Sequence, residues 1–303
     1  MTIALLLLPD FLLIAFGALL KRIGGFGPGF WPGLERLVYF VLFPALLFRA
    51  LAHSPLALAD ALPLAGVGLG YTFAGMALSG LGGRLFELER PVFAACFQCG
   101  FRFNTYIALA VASRLGGEAS VAAIGLLIGI LVPVVNVAAV AMLVHARRAL
   151  LGQVLRNPLV LACLAGIVWK AAGWPVAEFA EATLALLASA ALPLGLLAVG
   201  AGLAFRIAQL PVGAIAWWTG LKLVVLPALA LGLAVLVGLP PTERTVAVLL
   251  AAMPTAPSAY ILAMQMNGVG APVALLISIG TVIAAGTLPL WIAVLQAAGG
   301  LTS

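Results

Sequence analysis

The sequence predicts an all-α polytopic membrane protein with ten transmembrane helices in two inverted five-helix repeats, in which helices four and nine are broken. Three observations lead to this fold class. Hydrophobic residues make up 65% of the 303 residues and charged residues only 8%, with a mean hydropathy of +1.25, whereas a soluble domain carries about 25% charged residues. Ten apolar runs follow one another along the chain, and two of them are interrupted at matching places.

The apolar runs are each close to the length of about 20 residues that a helix needs to cross a bilayer. The predicted spans are 2–20, 31–51, 60–83, 91–113, 119–144, 158–173, 179–205, 211–238, 244–266 and 271–298. The first run lacks a preceding basic segment and a small-residue cleavage site. We therefore interpret it as a retained helix rather than a signal peptide.

The longest polar connection, 145–157, separates the first five spans from the last five. It predicts a repeat over 1–144, a short cytoplasmic linker, and a second repeat over 158–303. Because five crossings return the chain on the opposite side, the second repeat must be inserted upside down.

The basic residues predict the orientation in the cytoplasmic membrane. If both termini are outside, eight basic residues lie in cytoplasmic connections: Lys21, Arg22, Arg84, Arg90, Arg147, Arg148, Arg156 and Arg206. Three lie in outer connections: Arg114, Lys170 and Arg244. Cytoplasmic loops carry an excess of Lys and Arg, so this distribution favours outer termini.

Several function classes are excluded by the residues that the chain lacks. With His53 and His145 alone, both in connections, the sequence cannot assemble a histidine metal cluster or a Ser-His-Asp triad in the membrane. It contains no GxxxxGK[ST] phosphate-binding loop. Cys96 and Cys99 lie within an apolar run, which favours packing over redox chemistry. We expect no enzyme activity, no cofactor, no metal and, despite the net charge of +6, no nucleic-acid partner.

The fourth run carries polar residues at its centre, where a lipid-facing helix cannot hydrate them. Gln98, Arg102, Asn104 and Thr105 all lie within 90–116, and ionisable groups at this depth are functional by default. If the helix breaks at Asn104 and Thr105, the N–H groups that begin the following half-helix favour an anion. The Asn104 amide both donates and accepts hydrogen bonds. The alternative is a purely structural bond between helices.

The stretch 244–270, which contains the ninth run, is interrupted at the corresponding place. Pro254 and Pro257 each remove a backbone donor and obstruct a continuous helix. Freed carbonyls at this depth must be satisfied by protein or by a water-filled cavity. The residues that could line such a cavity are Thr255, Ser258 and Tyr260. The alternative is a proline-kinked structural helix, but paired interruptions in two halves indicate a transporter's binding site.

Three charged residues within the runs are further candidates. Arg102 could bind a carboxylate through two parallel N–H groups, or it could pair internally, for example with Asp10, or reach a water-filled crevice. The Asp10 carboxylate should be protonated or paired at this depth, and a protonated Asp10 would suit a proton carrier. Lys222, on the eighth run, and Gln98 are the other candidates for proton or ion coupling.

Three segments together resemble bacterial members of the auxin efflux carrier family, relatives of the plant PIN carriers. They are LVYFVLFPALLFRALA at 37–52, FRFNTYIALAVA at 101–112 and MPTAPSAYILAMQMNG at 253–268. The resemblance extends over essentially the whole chain. It departs from the plant pattern at Arg102 and Asp10 and in the absence of a long cytoplasmic loop.

The resemblance implies a scaffold of helices 1, 2, 6 and 7 and a transport domain of helices 3–5 and 8–10, with the broken helices crossing at the membrane midplane. It implies that Asn104, in the Asn104-Thr105 pair, contacts a substrate carboxylate and that Pro254 opens the second break. It also implies a homodimer formed through the scaffold. Bacterial relatives are associated with small dicarboxylates such as malonate or malate.

The leading hypothesis is a secondary active or facilitative transporter that moves small organic anions by an elevator-type mechanism. Two alternatives stay open. One is a sodium-coupled organic-anion symporter of the bile-acid-symporter type, which sodium-dependent binding would reveal. The other is a membrane sensor that binds the same anion without moving it, which would show binding and no counterflow. The coupling ion, proton or sodium, is left undetermined.

Overall fold

The computed structural model describes residues 3–27, 29–53, 58–143, 157–203, 210–265 and 269–298, and no strand occurs within these ranges. The helices are α1 (Ile3–Ile23), α2 (Phe30–Leu37), α3 (Phe43–Ala52), α4 (Leu58–Leu85), α5 (Arg90–Phe97), α6 (Thr105–Leu143), α7 (Pro158–Ala171), α8 (Glu178–Gly202), α9 (Val212–Gly220), α10 (Leu226–Val237), α11 (Pro241–Ala252), α12 (Ser258–Gln265) and α13 (Gly270–Ala297). The all-helical prediction is therefore confirmed for the described part of the chain.

Two of the predicted spans contain a π-helical turn next to a proline. Val38–Leu42 joins α2 to α3, and Leu221–Val225 joins α9 to α10. Pro44 and Pro227 follow these turns by two residues. A proline cannot donate to the carbonyl four residues earlier and its ring collides with that carbonyl. The wider π turn accommodates both prolines, and such turns are frequent at functional sites.

Five helical stretches within the described ranges are long and apolar enough to cross a membrane by length and composition. They are Ala61–Leu85, Arg90–Leu143, Glu178–Gly202, Val212–Val237 and Gly270–Ala297. Together with the composition, they indicate an integral membrane protein. Ten spans in inverted repeats stay a prediction, because several of the predicted spans are divided into shorter helices.

The fourth and fifth predicted runs meet without a polar loop. α6 continues from Thr105 to Leu143 across a kink at Gly116 and Gly117, whose backbone angles are not helical. Gly117 has a φ of +56°, a left-handed conformation that glycine adopts without steric cost. The connection predicted between 113 and 119 is therefore a glycine kink.

The helices pack in two groups. α1 lies along α8, and α3 packs on α7 and α8. The α1–α8 contact is close because Gly200 lacks a side chain: a Cβ there would lie 1.8 Å from the Ile14 carbonyl oxygen. In the second group α10 packs against α4 and α11, and α11 contacts α6 and α13. The long α6 contacts both groups.

Part of the predicted organisation lies outside the described residues. The linker 145–157 is described only at Asn157, and His145 falls within the part that is not described. The same holds for four basic residues used for orientation: Arg147, Arg148, Arg156 and Arg206. The orientation and the division into repeats accordingly stay predictions.

Candidate functional site

The helical path is interrupted at both places where the sequence predicted a break. After α5 the chain forms a 3₁₀ turn at Gln98–Gly100 and then leaves helical geometry until Thr105 begins α6. Between α11 and α12, residues 253–257 are not helical. We refer to residues 98–104 and 253–257 together as the paired break.

The two segments of the paired break lie directly against each other. The hydrogen bonds that join this region are Asn104 N–H to the Pro254 carbonyl (2.8 Å), Thr255 Oγ1 to the Cys99 carbonyl (2.9 Å) and Gln98 Nε2 to the Ala259 carbonyl (3.1 Å). Residues 150 or more positions apart in the sequence thus satisfy each other's backbone groups. This matters in a membrane protein, because an unsatisfied backbone group away from water costs several kcal/mol.

The first segment is also held from α4 and α9. Ser79 donates to the Phe97 carbonyl at 2.6 Å and accepts from the Trp218 indole at 2.8 Å. Gly100 is required beside it, since a Cβ there would lie 2.5 Å from the Ser79 hydroxyl oxygen. The segment therefore has a fixed position despite its lack of helical structure.

Asn104 caps α6 and is left with a free donor. Its Oδ1 accepts from the backbone N–H groups of Tyr106 (3.0 Å) and Ile107 (3.3 Å), a typical N-cap arrangement. The residue is 1% exposed, and its Nδ2 has no hydrogen-bond partner among the described residues. A buried donor without an acceptor is unfavourable, so this Nδ2 group is available to donate to a ligand.

Arg102 places a buried positive charge in the same segment, two residues before that amide in the sequence. The residue is 7% exposed, and its guanidinium donates to Gln98 Oε1 at 2.7 Å and to Asn136 Oδ1. Both partners are neutral amides, and no carboxylate in the described ranges forms an ion pair with it. The alternative in which Arg102 has an internal partner is therefore met by Gln98 and Asn136; Asp10, the example named for that alternative, pairs with Arg114 instead.

Asp10 lies in a different part of the molecule. Both of its carboxylate oxygens accept from Arg114 Nε at 2.7 Å. The pair borders a cavity of about 450 Å³ between α1, α3, α6 and α8. Arg49 borders the same cavity and pairs with Glu118 and Glu181, each at 2.6 Å.

Lys222 lies next to the second segment of the paired break. It is 2% exposed, and its Nζ donates to the carbonyl of Ala251, one residue before the end of α11. Cys99 and Thr255, one from each segment, line the same small cavity as Lys222.

The remaining predicted residues have less distinctive surroundings. Pro254 and Thr255 are buried, Thr105 and Pro257 are half-buried, and Ser258 is exposed. The Tyr260 ring is half-buried and lies against Gly270, where a Cβ would be 2.7 Å from its edge. Tyr260 thus packs on the start of α13. The structure brings Gln98, Arg102, Asn104, Pro254 and Thr255 together and leaves Asp10 apart.

Sequence reasoning missed the ion pairs around the larger cavity and the support that Ser79 and Trp218 give to the break. Arg49 and Glu181 are 132 residues apart, and no local pattern signals such a contact. Ser79 carried a weak signal only, as a small polar residue within an apolar run.

A family model described as membrane transport protein matches residues 89–292, about two thirds of the chain. Both segments of the paired break fall within the match, as do Lys222, Asn136 and Arg114. No curated protein matches the chain.

Proposed function

Because the chain belongs to the membrane transport protein family, which contains the auxin efflux carriers, we propose that it is a secondary transporter of small organic anions and that the anion binds at the paired break. The resemblance stated from the sequence is thereby confirmed at the level of the family, which is one of transporters rather than enzymes. The substrate class and the mechanism are the parts that we propose.

The observation that supports an anionic substrate is the combination, in the first segment, of a buried arginine that forms no ion pair among the described residues and a buried amide donor without a partner there. Arg102 brings a buried charge whose hydrogen-bond partners among the described residues are the neutral amides of Gln98 and Asn136, and Asn104 Nδ2 is a buried donor without a partner in the described chain. They are two residues apart in the same non-helical segment. A carboxylate offers each of them an acceptor, and charge-assisted hydrogen bonds are roughly twice as strong as neutral ones.

The cost of burying the Arg102 cation makes the proposed site selective for anions. In real proteins the desolvation penalty of a buried ion is still several kcal/mol, and it is offset only by a partner of opposite charge with good geometry. A neutral analogue of the substrate would leave the Arg102 charge uncompensated. A carboxylate would compensate it, so the site favours carboxylates over amides and alcohols of equal size.

An elevator-type movement is the mechanism that the packing supports best. The hydrogen bonds within the paired break tie its two segments to each other, which suits movement as one unit. The group formed by α1, α3, α7 and α8 would be the scaffold. Around the larger cavity, ion pairs such as Asp10–Arg114 connect this group to α6, and ion pairs can exchange partners as two surfaces slide.

We further propose the finer topology that the sequence predicted: two inverted five-helix repeats, broken helices that cross at the midplane, and both termini outside the cytoplasmic membrane. A homodimer through the scaffold completes the proposal. The coupling of transport is treated separately below.

The test combines ligand binding with flux. The purified protein is heated with a panel of mono- and dicarboxylates, and the same compounds are tested for counterflow in proteoliposomes. A ligand at 100 times its Kd should add about 2.7 kcal/mol to stability. Asn104→Ser keeps an oxygen for capping α6 but lacks the Nδ2 donor, so we expect it to fold and to lose this stabilisation.

Asn157 provides the matched control. Its Oδ1 caps α7 in the same way, through Leu159 N–H at 3.0 Å and Val160 N–H at 3.4 Å, but it lies outside the paired break. Asn157→Ser should bind as the wild type does. Equal binding by Asn104→Ser would remove the break as the anion site, and binding without counterflow would indicate a sensor instead of a transporter.

A further inference from the structure

Lys222 is held at the negative end of a broken helix. α11 ends at Ala252, so its last carbonyls lack the N–H partners that a continuing helix would supply. These carbonyls also form the negative end of the helix dipole, which favours a cation. The Lys222 Nζ donates to one of them, that of Ala251. The ammonium group therefore lies where the helix dipole favours positive charge.

The surroundings of this ammonium have the composition of an alkali-cation site. A cavity of about 10 Å³ adjoins Lys222, close to the volume that one water molecule needs. Thr219 and Thr255 line it, and the Thr219 hydroxyl has no hydrogen-bond partner among the described residues. Carbonyl and hydroxyl oxygens are the ligands of hard cations. Secondary transporters coordinate sodium or protons at unwound carbonyls and half-helix C-terminal ends.

Within the described part of the chain, the residues that line this cavity include no carboxylate, and no ion pair to Lys222 occurs. Cys99 is the titratable side chain that shares the cavity with it. The lysine is thus the charge of the site and not one half of a buried ion pair. Its role is set by the helix end that it contacts.

We propose that the Lys222 ammonium is a tethered cation, which occupies the position of a coupling ion at the end of α11. This inference rests on the proposed function and specifies its coupling: transport of the organic anion needs no sodium or other alkali cation. A covalently attached charge cannot be bound on one side of the membrane and released on the other, so a cation gradient cannot drive transport through this site.

The same position connects the lysine to anion binding. Thr255 lines the cavity and donates to the Cys99 carbonyl, three residues before Arg102. Loss of the cation would leave the end of α11 without its counter-charge and would displace the second segment of the paired break. Lys222 is accordingly a positioning residue rather than a residue that touches the substrate.

The experiment measures carboxylate counterflow in proteoliposomes with sodium, potassium or choline chloride at equal ionic strength. Wild type should be equally active in all three salts. Lys222→Ala should lose about tenfold in choline, the change that about 1.4 kcal/mol of cation–dipole interaction corresponds to, and should recover in sodium. Lys222→Met fills the space without charge, so we expect it to be equally impaired and not to recover.

Each outcome has a separate meaning. Wild-type flux that requires sodium overturns the tethered cation but leaves an anion transporter in place. Equal activity of Lys222→Ala and wild type in choline also overturns it. If the variants fail to fold, the wild-type salt comparison still decides. Absence of carboxylate flux from wild type in every salt counts against the proposed function itself.

Discussion

The Asp10–Arg114 pair is unequally buried, and this predicts unequal effects of removing its two members. The Asp10 side chain is 5% exposed, whereas that of Arg114 is 36% exposed. Arg114→Gln leaves the buried Asp10 carboxylate without its counter-charge. Breaking a buried pair in this way lowers the free energy of unfolding by about 3–5 kcal/mol. Asp10→Asn leaves Arg114 without its partner, but water can reach this arginine. The loss of stability is therefore that of an exposed ion pair, about 0.2–1 kcal/mol.

The assay is thermal unfolding of the purified protein in detergent, with both single variants and the double variant. Arg114→Gln should unfold at the lowest temperature and Asp10→Asn close to wild type. The double variant should recover most of what Arg114→Gln loses, because the buried carboxylate is then absent. Equal effects of the two single variants, or a double variant as unstable as Arg114→Gln, would refute the reasoning from unequal burial.

Two glycines are expected to be irreplaceable because of close approach. Gly100→Ala would place a Cβ 2.5 Å from the Ser79 hydroxyl and should cost about 1–3 kcal/mol through overpacking, with loss of carboxylate binding in the same preparation. Gly200→Ala would place a Cβ 1.8 Å from the Ile14 carbonyl and should lower the melting temperature by separating α1 from α8. The matched control for both is Gly232→Ala, where the added carbon would meet no described atom within 4 Å outside the local backbone of its own helix; a loss of similar size there would contradict the steric explanation.

The two breaks were predictable from the sequence because their causes are local. Pro254 and Pro257 remove backbone donors wherever they occur, and Asn104 is a residue type that caps a helix. The π turn before Pro44 has an equally local cause, but a proline in an apolar run does not reveal whether the helix bends, widens or ends. The presence of breaks therefore follows from residue types, whereas the local geometry follows from packing.

The partners of the charged residues could not be predicted for a different reason. Asp10 and Arg114 are 104 residues apart, and their contact depends on how α1 and α6 are placed. Arg102 shows the same limit: the sequence offered Asp10 as a partner, although Gln98, one turn earlier, was the nearer choice. Helical spacing brings residues four apart onto one face, and that rule would have predicted this contact.

The charges at the paired break bear on the mode of transport under the proposed function. Arg102 and Lys222 are buried basic side chains in the group of helices that would move. With Lys222 charged as proposed above, the two contribute two positive charges to the unloaded unit, a bound monocarboxylate reduces this contribution to one, and a dicarboxylate cancels it. Each charge that crosses a potential of 100 mV changes the free energy by about 2.3 kcal/mol. Loading therefore lowers the electrical cost of movement, and exchange of one anion for another avoids the unloaded return altogether. A carrier with two fixed cations is for this reason better suited to anion exchange than to net uniport.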